Sequence, residues 1–263
     1  MSAEDPKMLK LLSGRRPLGK ASADNGDAQN AVAAAAVARA RSGGGLSAGL
    51  DPDDDAGAVE PEAPMFQDVA QTVLPIEFQG REVHLEAHAY EDHTTSYQAL
   101  ALVHRSGNGA NTVPLVRVHS GCVTGDIFHS LRCDCFEQLQ KALDRITHSP
   151  TGVIIYLPYH EGRGIGLVAK IKAYAEQDRG LDTVDANLSI GAPVDARDYE
   201  LAAKILKDLG FLEIRLLTNN PRKVAALQDH GIHVVEQVQH STAPSPHNAR
   251  YLATKRERMA HKL

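Results

Sequence analysis

Alternating polar and apolar positions mark the start of a folded body near residue 70 of this 263-residue chain. Residues 81–89 read Arg-Glu-Val-His-Leu-Glu-Ala-His-Ala, so apolar side chains recur at every second position from Val83 onward. This period of two predicts a strand with one buried face. Gln79-Gly80 is a turn signal, and residues 71–79 are predicted to form the partner strand of the hairpin.

Apolar runs and helical periodicities alternate through the rest of the chain. Further strands are predicted at 99–104, 113–119, 152–157, 214–218 and 232–237. Helices are predicted at 134–147, 165–177, 198–209 and 221–230. In the first of these helices, apolar side chains lie three and four residues apart. Strands that alternate with helices predict an α/β domain, and no internal repeat is present.

The first 65 residues differ from this body. They contain an alanine-rich run at 31–41, Ser-Gly-Gly-Gly at 42–45 and Asp-Pro-Asp-Asp-Asp at 51–55. Large apolar residues are too few to bury much surface, so we predict a low-complexity, largely mobile N-terminal extension over 1–65 and one domain over 66–263. The alanine run is either a helix packed on the body or a linker.

Composition excludes several function classes. Hydrophobic residues make up 43% of the chain, charged residues 23%, and the net charge is −5. These values are ordinary for a globular protein and do not favour nucleic-acid binding. The chain contains no apolar run of about 20 residues, so we expect no membrane span. It also has no secretory leader pattern, and its free cysteines fit a reducing compartment, so we expect a cytoplasmic protein.

All three cysteines, Cys122, Cys133 and Cys135, fall within fourteen residues. Three thiolates can hold zinc and leave its fourth position open for water, which is typical of a catalytic site. Water bound to zinc becomes a nucleophile near neutral pH, so the cluster suggests hydrolysis. Two alternatives stay open: buried unreactive cysteines, or a closed structural site with His119 or His129 as fourth ligand.

Other polar groups stand at predicted strand ends, where α/β proteins place their ligands. Arg117 could bind a phosphate bidentately, and Thr218 and Lys223 are further candidate phosphate partners. Each basic residue taken alone could instead be a solvated surface charge. The glycine-rich segment 161–167 follows a strand and opens a helix. It is either an anion-binding loop or a simple turn.

Two more positions allow two interpretations each. Asp195 either caps the helix that follows it or stands beside Arg197 at a reaction centre. Tyr174 is either a core residue or a proton donor.

Together these segments resemble the GTP cyclohydrolase II family of riboflavin biosynthesis. The matching motifs are Arg-Val-His-Ser-x-Cys-x-Thr-Gly-Asp (117–126), Leu-Arg-Cys-Asp-Cys (131–135), Glu-Gly-Arg-Gly-Ile-Gly-Leu (161–167), Asp-Thr-Val-Asp-Ala-Asn (182–187) and Leu-Leu-Thr-Asn-Asn-Pro-Arg-Lys (216–223). They occur in the family's order from about residue 70 to the C-terminus. The resemblance implies a mixed β-sheet with flanking helices, in a form without the dihydroxybutanone-phosphate synthase domain.

The resemblance also implies a reaction. The family hydrolyses GTP to 2,5-diamino-6-ribosylamino-4(3H)-pyrimidinone 5′-phosphate, formate and diphosphate. It requires one Zn²⁺ per chain, with water in the fourth position, and Mg²⁺ with the triphosphate, and it forms homodimers. The resemblance also implies that Arg197 acts at the α-phosphate as the family's proposed nucleophile, with Asp195 as its proton acceptor. An arginine nucleophile would be unusual because its guanidinium stays protonated in proteins. A phosphate contact is therefore the firmer expectation for Arg197.

Residue roles follow by motif position. The zinc ligands would be Cys122, Cys133 and Cys135, and the catalytic residues would be Asp195, Arg197 and Tyr174. The GTP-binding residues would be Arg117, Val118, His119, Ser120, Gly121, Gln138, Glu161, Gly162, Arg163, Thr183, Thr218 and Lys223.

The chain departs from the family pattern at five positions. Gly121 replaces a glutamate, His160 a glutamine, Leu188 a histidine, Ala192 a phenylalanine and Phe136 a glycine. These departures leave two alternatives: a paralogue acting on another nucleotide or pyrimidine, or a catalytically silent nucleotide-binding protein. The presence of Asp195, Arg197, Tyr174 and all three cysteines favours the enzyme.

Overall fold

A computed structural model describes residues 66–107, 112–246 and 248–258. The predicted N-terminal extension, with its alanine-rich run, lies outside the described residues. In the described part, one mixed sheet is flanked by helices, which confirms the predicted α/β class.

Seven strands form the sheet in the order β1-β2-β3-β5-β4-β6-β7. The pairs from β1 through β3 to β5 are antiparallel, and those linking β5, β4, β6 and β7 are parallel. The strands are β1 (Phe66–Phe78), β2 (Arg81–Asp92), β3 (Tyr97–Arg105), β4 (Leu115–Ser120), β5 (Thr151–Leu157), β6 (Glu213–Leu217) and β7 (His233–Val238).

The predicted hairpin is the antiparallel edge of this sheet. Phe78 pairs with Arg81, and the two residues between them, Gln79 and Gly80, have φ values of 51° and 73°. Two consecutive positive φ angles match the twist of the flanking strands, so the turn fixes the register of the pair.

Seven helices are described: α1 (Val123–Asp126), α2 (Cys135–Thr147), α3 (Leu167–Asp178), α4 (Thr183–Ser189), α5 (Glu200–Asp208), α6 (Pro221–Asp229) and α7 (Ala249–Arg258). A 3₁₀ turn (Pro158–His160) and a kinked helical segment (Glu161–Gly164) connect β5 to α3. The predicted helices agree with α2, α3, α5 and α6 to within two residues at each end. Sequence periodicity did not predict α1, α4 or α7. None of the helices in the described ranges has the length and apolar composition of a membrane span.

Strand β5 is buried on both faces, as its continuous apolar run predicts. Ile155 packs in the main core with Ile205 and Leu206 of α5. Ile154 points the other way and packs with Ile146 of α2. The parallel half of the sheet is therefore covered on both sides, and its open end lies where β4, β5 and β6 finish.

Candidate active site

The three cysteine side chains converge after strand β4. Their sulfur atoms all lie within 4.8 Å of one another, and Cys122 Sγ is 3.8 Å from Cys133 Sγ. Tetrahedral zinc with Zn–S bonds of about 2.3 Å places its sulfurs about 3.8 Å apart. The thiols therefore suit a metal of this kind.

Neither candidate histidine joins the cluster. His119 Nε2 lies 3.1 Å from Asp126 Oδ1, and the exposed His129 ring stacks on Phe136 with centroids 3.8 Å apart. Within the described ranges, the metal-ligating group at this place consists of the three cysteines. The open-site interpretation is favoured over a closed site with three cysteines and one histidine.

Gly125 lets the chain wrap closely around the thiols. A Cβ at this position would lie 2.9 Å from Cys133 Sγ and 3.1 Å from Cys122 Sγ. Any other residue would push into the space between the sulfurs, so the loop requires glycine here.

A buried ion pair supports the same loop from α3. Lys170 Nζ lies 3.0 Å from Cys122 Sγ and 2.5 Å from Glu161 Oε1, while Glu161 Oε2 accepts the Val123 N–H at 2.6 Å. Burial alone would lower the pKa of Lys170, but the hydrogen bonds to Glu161 and Cys122 raise it overall. Sequence reasoning missed Lys170. Its one signal is its place one helical turn before Tyr174, on the same face.

The three thiols do not share charge equally. Hydrogen bonds from Cys133 and Cys135, with help from Lys170, lower the pKa of Cys122. The pKa values of Cys133 and Cys135 rise because each faces the Cys122 thiolate. Bound zinc would deprotonate all three cysteine ligands.

Arg197 is fixed beside the metal loop. Its Nε and Nη2 donate to the two carboxylate oxygens of Asp195 at 2.8 and 2.7 Å, and Nη1 donates to Ser120 Oγ at 3.4 Å. Ser120 Oγ also contacts His160 Nδ1 at 3.1 Å. Burial and the nearby charges of Arg197 and Lys223 lower the pKa of His160 to about 3, so this imidazole is neutral.

The glycine-rich segment positions the Arg163 side chain, and its Gly162 and Gly166 amides form hydrogen bonds within the segment. Gly162 and Arg163 both have left-handed φ angles, 61° and 67°. The N–H of Gly162 is taken by Glu161 Oε1, and that of Gly166 by the Glu161 carbonyl oxygen. These two amides are therefore not available to an anion. The turn instead buries both Nη atoms of Arg163, which have no partner among the described residues.

Two adjoining cavities result. The thiolate cavity is lined by the three cysteines together with Lys170, Tyr174 and Thr183. The cationic cavity is lined by Arg117, Arg163, Arg197, Lys223 and Lys255, and no Asp or Glu of the described chain lines it. The residues that line both cavities are Ser120, Cys135, Arg163, Arg197 and Tyr251.

Neutral acceptors hold two of these cations. Arg117 donates to the Leu217 carbonyl oxygen at 3.0 Å and to Gln138 Oε1 at 2.5 Å. Lys223 Nζ donates to the Val118 carbonyl oxygen at 2.7 Å. Burial lowers the pKa of Arg117 to about 10 and lowers that of Lys223 well below its usual value. Such cations favour an incoming anion.

Most of the residues singled out in the sequence meet at these cavities. His119, Gln138 and Thr218 line the cationic cavity, and Gly121 and Gly162 line the thiolate cavity. Three differ, because none of them lines either cavity. The Val118 side chain lies in the main core, Glu161 holds the metal loop, and Asp195 holds the Arg197 guanidinium.

The structure explains two of the five positions at which the sequence departs from the family pattern. A Cβ at Gly121 would lie 2.9 Å from Pro158 Cα and 3.1 Å from the Tyr156 hydroxyl, so the space for a larger residue is filled. Phe136 has the ring of His129 as its stacking partner.

The sequence model of GTP cyclohydrolase II matches residues 67–239. A GTP cyclohydrolase-2 from Streptomyces coelicolor is 52% identical over 177 residues, which is 67% of this chain and 79% of that protein. The riboflavin biosynthesis proteins RibBA of Salinispora arenicola and Aquifex aeolicus are 52% and 49% identical over 67% and 66% of this chain.

The chain spans 42% and 43% of the length of these two RibBA proteins, so it corresponds to only part of each. The family match runs from the hairpin to β7 and covers most of the segments that build the two cavities. The chain therefore belongs to the GTP cyclohydrolase II family.

Proposed function

We propose that this protein hydrolyses GTP to 2,5-diamino-6-ribosylamino-4(3H)-pyrimidinone 5′-phosphate, formate and diphosphate, as a step of riboflavin biosynthesis. One observation carries the proposal: a three-thiol cluster directly adjoins a cavity lined by five cations, and Arg197 lines both. A purine ring and a polyphosphate on one substrate would fill two such neighbouring cavities.

Cys122, Cys133 and Cys135 would hold one zinc ion, because their mutual distances fit tetrahedral zinc. His119 and His129 have other partners and do not join the cluster. Zinc held there would supply an activated water for hydrolysis of the C–N bonds at C8. Lys170 and Glu161 would keep the loop in place during turnover.

The phosphates would lie in the cationic cavity. Arg117 and Lys223 have no carboxylate partner in their hydrogen bonds, so a phosphate oxygen would relieve the cost of burying their charges. Arg163 adds a fork of two unpartnered Nη atoms. A triphosphate carries several negative charges that Mg²⁺ would help to neutralise, and we propose that Mg²⁺ enters bound to GTP.

Arg197 would contact the α-phosphate at the junction of the cavities. Burial alone would lower the pKa of Arg197, but Tyr199 and Asp195 raise it overall. A guanidinium this firmly protonated is a better phosphate ligand than a nucleophile, so Asp195 would act first as its orienting partner.

Tyr174 would donate a proton during ring opening. Its ring lies 5.7 Å from Lys170 Nζ and lines the thiolate cavity. Burial raises the pKa of Tyr174, so the hydroxyl stays protonated at neutral pH and can act as an acid.

We further propose a cytoplasmic homodimer. The free thiols require a reducing compartment. The segment after α1 exposes Ile127, Phe128 and Leu131, with Phe128 75% exposed. Apolar side chains gathered in this way mark contact surfaces. Sedimentation analysis of the wild type and of Phe128→Glu tests the dimer, which the charge should weaken.

Product analysis tests the proposed reaction. Purified protein is mixed with GTP, Mg²⁺ and Zn²⁺, and formate, diphosphate and the pyrimidinone are measured by mass spectrometry. All three should appear in equal amounts. Unchanged GTP from protein that holds one zinc per chain would instead favour a silent binder, and a different product would favour the paralogue.

A further inference from the structure

Helix α7 lies beyond residues 67–239, the part that the family model matches, yet it reaches the proposed substrate site. Two of its side chains, Tyr251 and Lys255, line the cationic cavity, and Tyr251 lines the thiolate cavity as well. The cavity that carries the cations is therefore completed by a segment outside the matched domain.

Ion pairs fix this helix to segments that carry site residues. Lys255 Nζ donates to Asp134 Oδ1 at 2.8 Å, and the two side chains are only 11% and 1% exposed. Asp134 stands between Cys133 and Cys135. Arg258 Nη1 pairs with Asp185 at 3.0 Å and with Asp182, on either side of Thr183.

Lys255 retains donors for a ligand. Its ammonium has three N–H groups, and Asp134 Oδ1 takes one of them. Asp134 itself is already shared, because Oδ2 accepts from Gln138 Nε2 at 2.6 Å and from Thr242 Oγ1 at 3.1 Å. The ammonium also lies 4.3 Å from the centre of the Tyr251 ring, which holds it over the cavity.

The position of Lys255 relative to Arg197 indicates which part of a substrate it meets. Arg197 lines both cavities, whereas Lys255 lines only the cationic one. A nucleotide whose base lies in the thiolate cavity would pass Arg197, and its phosphates would then enter the cavity that Lys255 lines.

We propose that Lys255 is a further ligand of the outer phosphates of the substrate and that Tyr251 and Asp134 position it. The inference rests on the proposed function, since it assumes a nucleoside triphosphate in these cavities. It assigns to α7 a part in distinguishing a triphosphate from a monophosphate.

Binding of GTP and GMP to the zinc-loaded full chain, measured without Mg²⁺ so that GTP is not turned over, tests the inference. Lys255→Met keeps the apolar stem and removes the charge, and Arg256→Met is the matched control on the exposed face of the same helix. Lys255→Met should weaken GTP binding about tenfold, the value of one charge-assisted hydrogen bond, and GMP binding less than threefold. Arg256→Met should leave both unchanged.

Two results would overturn the inference while leaving the proposed function intact. One is a GTP affinity unchanged in Lys255→Met. The other is an equal loss for GTP and GMP, which would mean that Lys255 only holds the helix. If Lys255→Met fails to fold, Lys255→Gln is measured by the same criterion. Wild-type protein that binds no GTP would contradict the proposed function itself.

Discussion

The two cavities differ in how far carboxylates offset the charges of their side chains. In the thiolate region, carboxylates pair with the buried lysine and accept backbone N–H groups of the cysteine loop. Glu161 pairs with Lys170 and accepts the Val123 N–H, and Asp126 accepts the Cys122 N–H at 2.9 Å. In the cationic region, Arg197 and Lys255 are paired with carboxylates, but Arg117 and Lys223 donate to neutral oxygens. The cationic region therefore keeps positive charge that no carboxylate offsets, and this charge favours an anionic ligand.

The largest expected effect is the loss of activity when a cysteine of the thiolate region is replaced. Cys133→Ser should remove zinc and lower formate release by at least about a thousandfold, since a catalytic metal contributes several kcal/mol. GTP affinity should change less than threefold because the cationic cavity is untouched. Zinc analysis, formate assay and equilibrium binding check the three parts. Unfolding of the variant would instead indicate a structural metal.

Arg197→Ala removes the group that joins the two regions. We expect formate and diphosphate release to fall about 100- to 1,000-fold, the cost of losing one preorganised charged donor. Zinc should stay at one per chain because Arg197 makes no contact with the thiols in the hydrogen bonds described. Loss of zinc in this variant would mean that the division between the regions is wrong.

Lys223→Met tests whether a buried cation of the cationic region serves GTP binding rather than stability. The variant should bind GTP about 100-fold more weakly, in line with about 2–3 kcal/mol for a buried charge contact. Ligand-free stability should not fall, since the buried ammonium has no carboxylate partner to lose. Denaturant unfolding measures this. A loss of 2 kcal/mol or more would show that Lys223 is structural.

The smallest expected effect is the pH dependence carried by His160. Its pKa is about 3 in the folded protein and about 6.5 when unfolded, so the unfolded state binds more protons between these values and stability falls as pH drops through that window. The loss should be about 2 kcal/mol by pH 5.

Unfolding at pH 7 and pH 5 measures the effect. His160→Gln should remove that part of the pH dependence, whereas the exposed control His93→Gln should retain it. An equal pH dependence in His160→Gln and the wild type would refute the assignment.

Sequence reasoning captured the framework of the molecule because hairpin alternation and apolar runs are local signals. It missed α1 and α4 since elements of four and seven residues show no clear period. It missed α7 for a different reason: that helix is fixed by ion pairs such as Lys255 to Asp134, 121 residues apart.

In the candidate site too, local sequence patterns did not reveal features that depend on residues distant in the chain. The cysteine spacing predicted a cluster, but Lys170 reads in sequence as a solvated helix charge and becomes part of the site only through folding. The sequence left the glycine-rich segment as either an anion-binding loop or a simple turn, and only the structure shows that Gly162 and Gly166 use their amides internally. Tertiary contacts decided these cases.

The most direct test of the two-region account is GTP binding to wild-type protein, measured without Mg²⁺ so that GTP is not turned over, before and after zinc is removed with a chelator. The account predicts that chelation abolishes formate release, that GTP affinity changes less than about threefold, and that one zinc per chain restores turnover. Loss of GTP binding together with the metal would contradict it, because the cationic cavity would then depend on the metal for its shape.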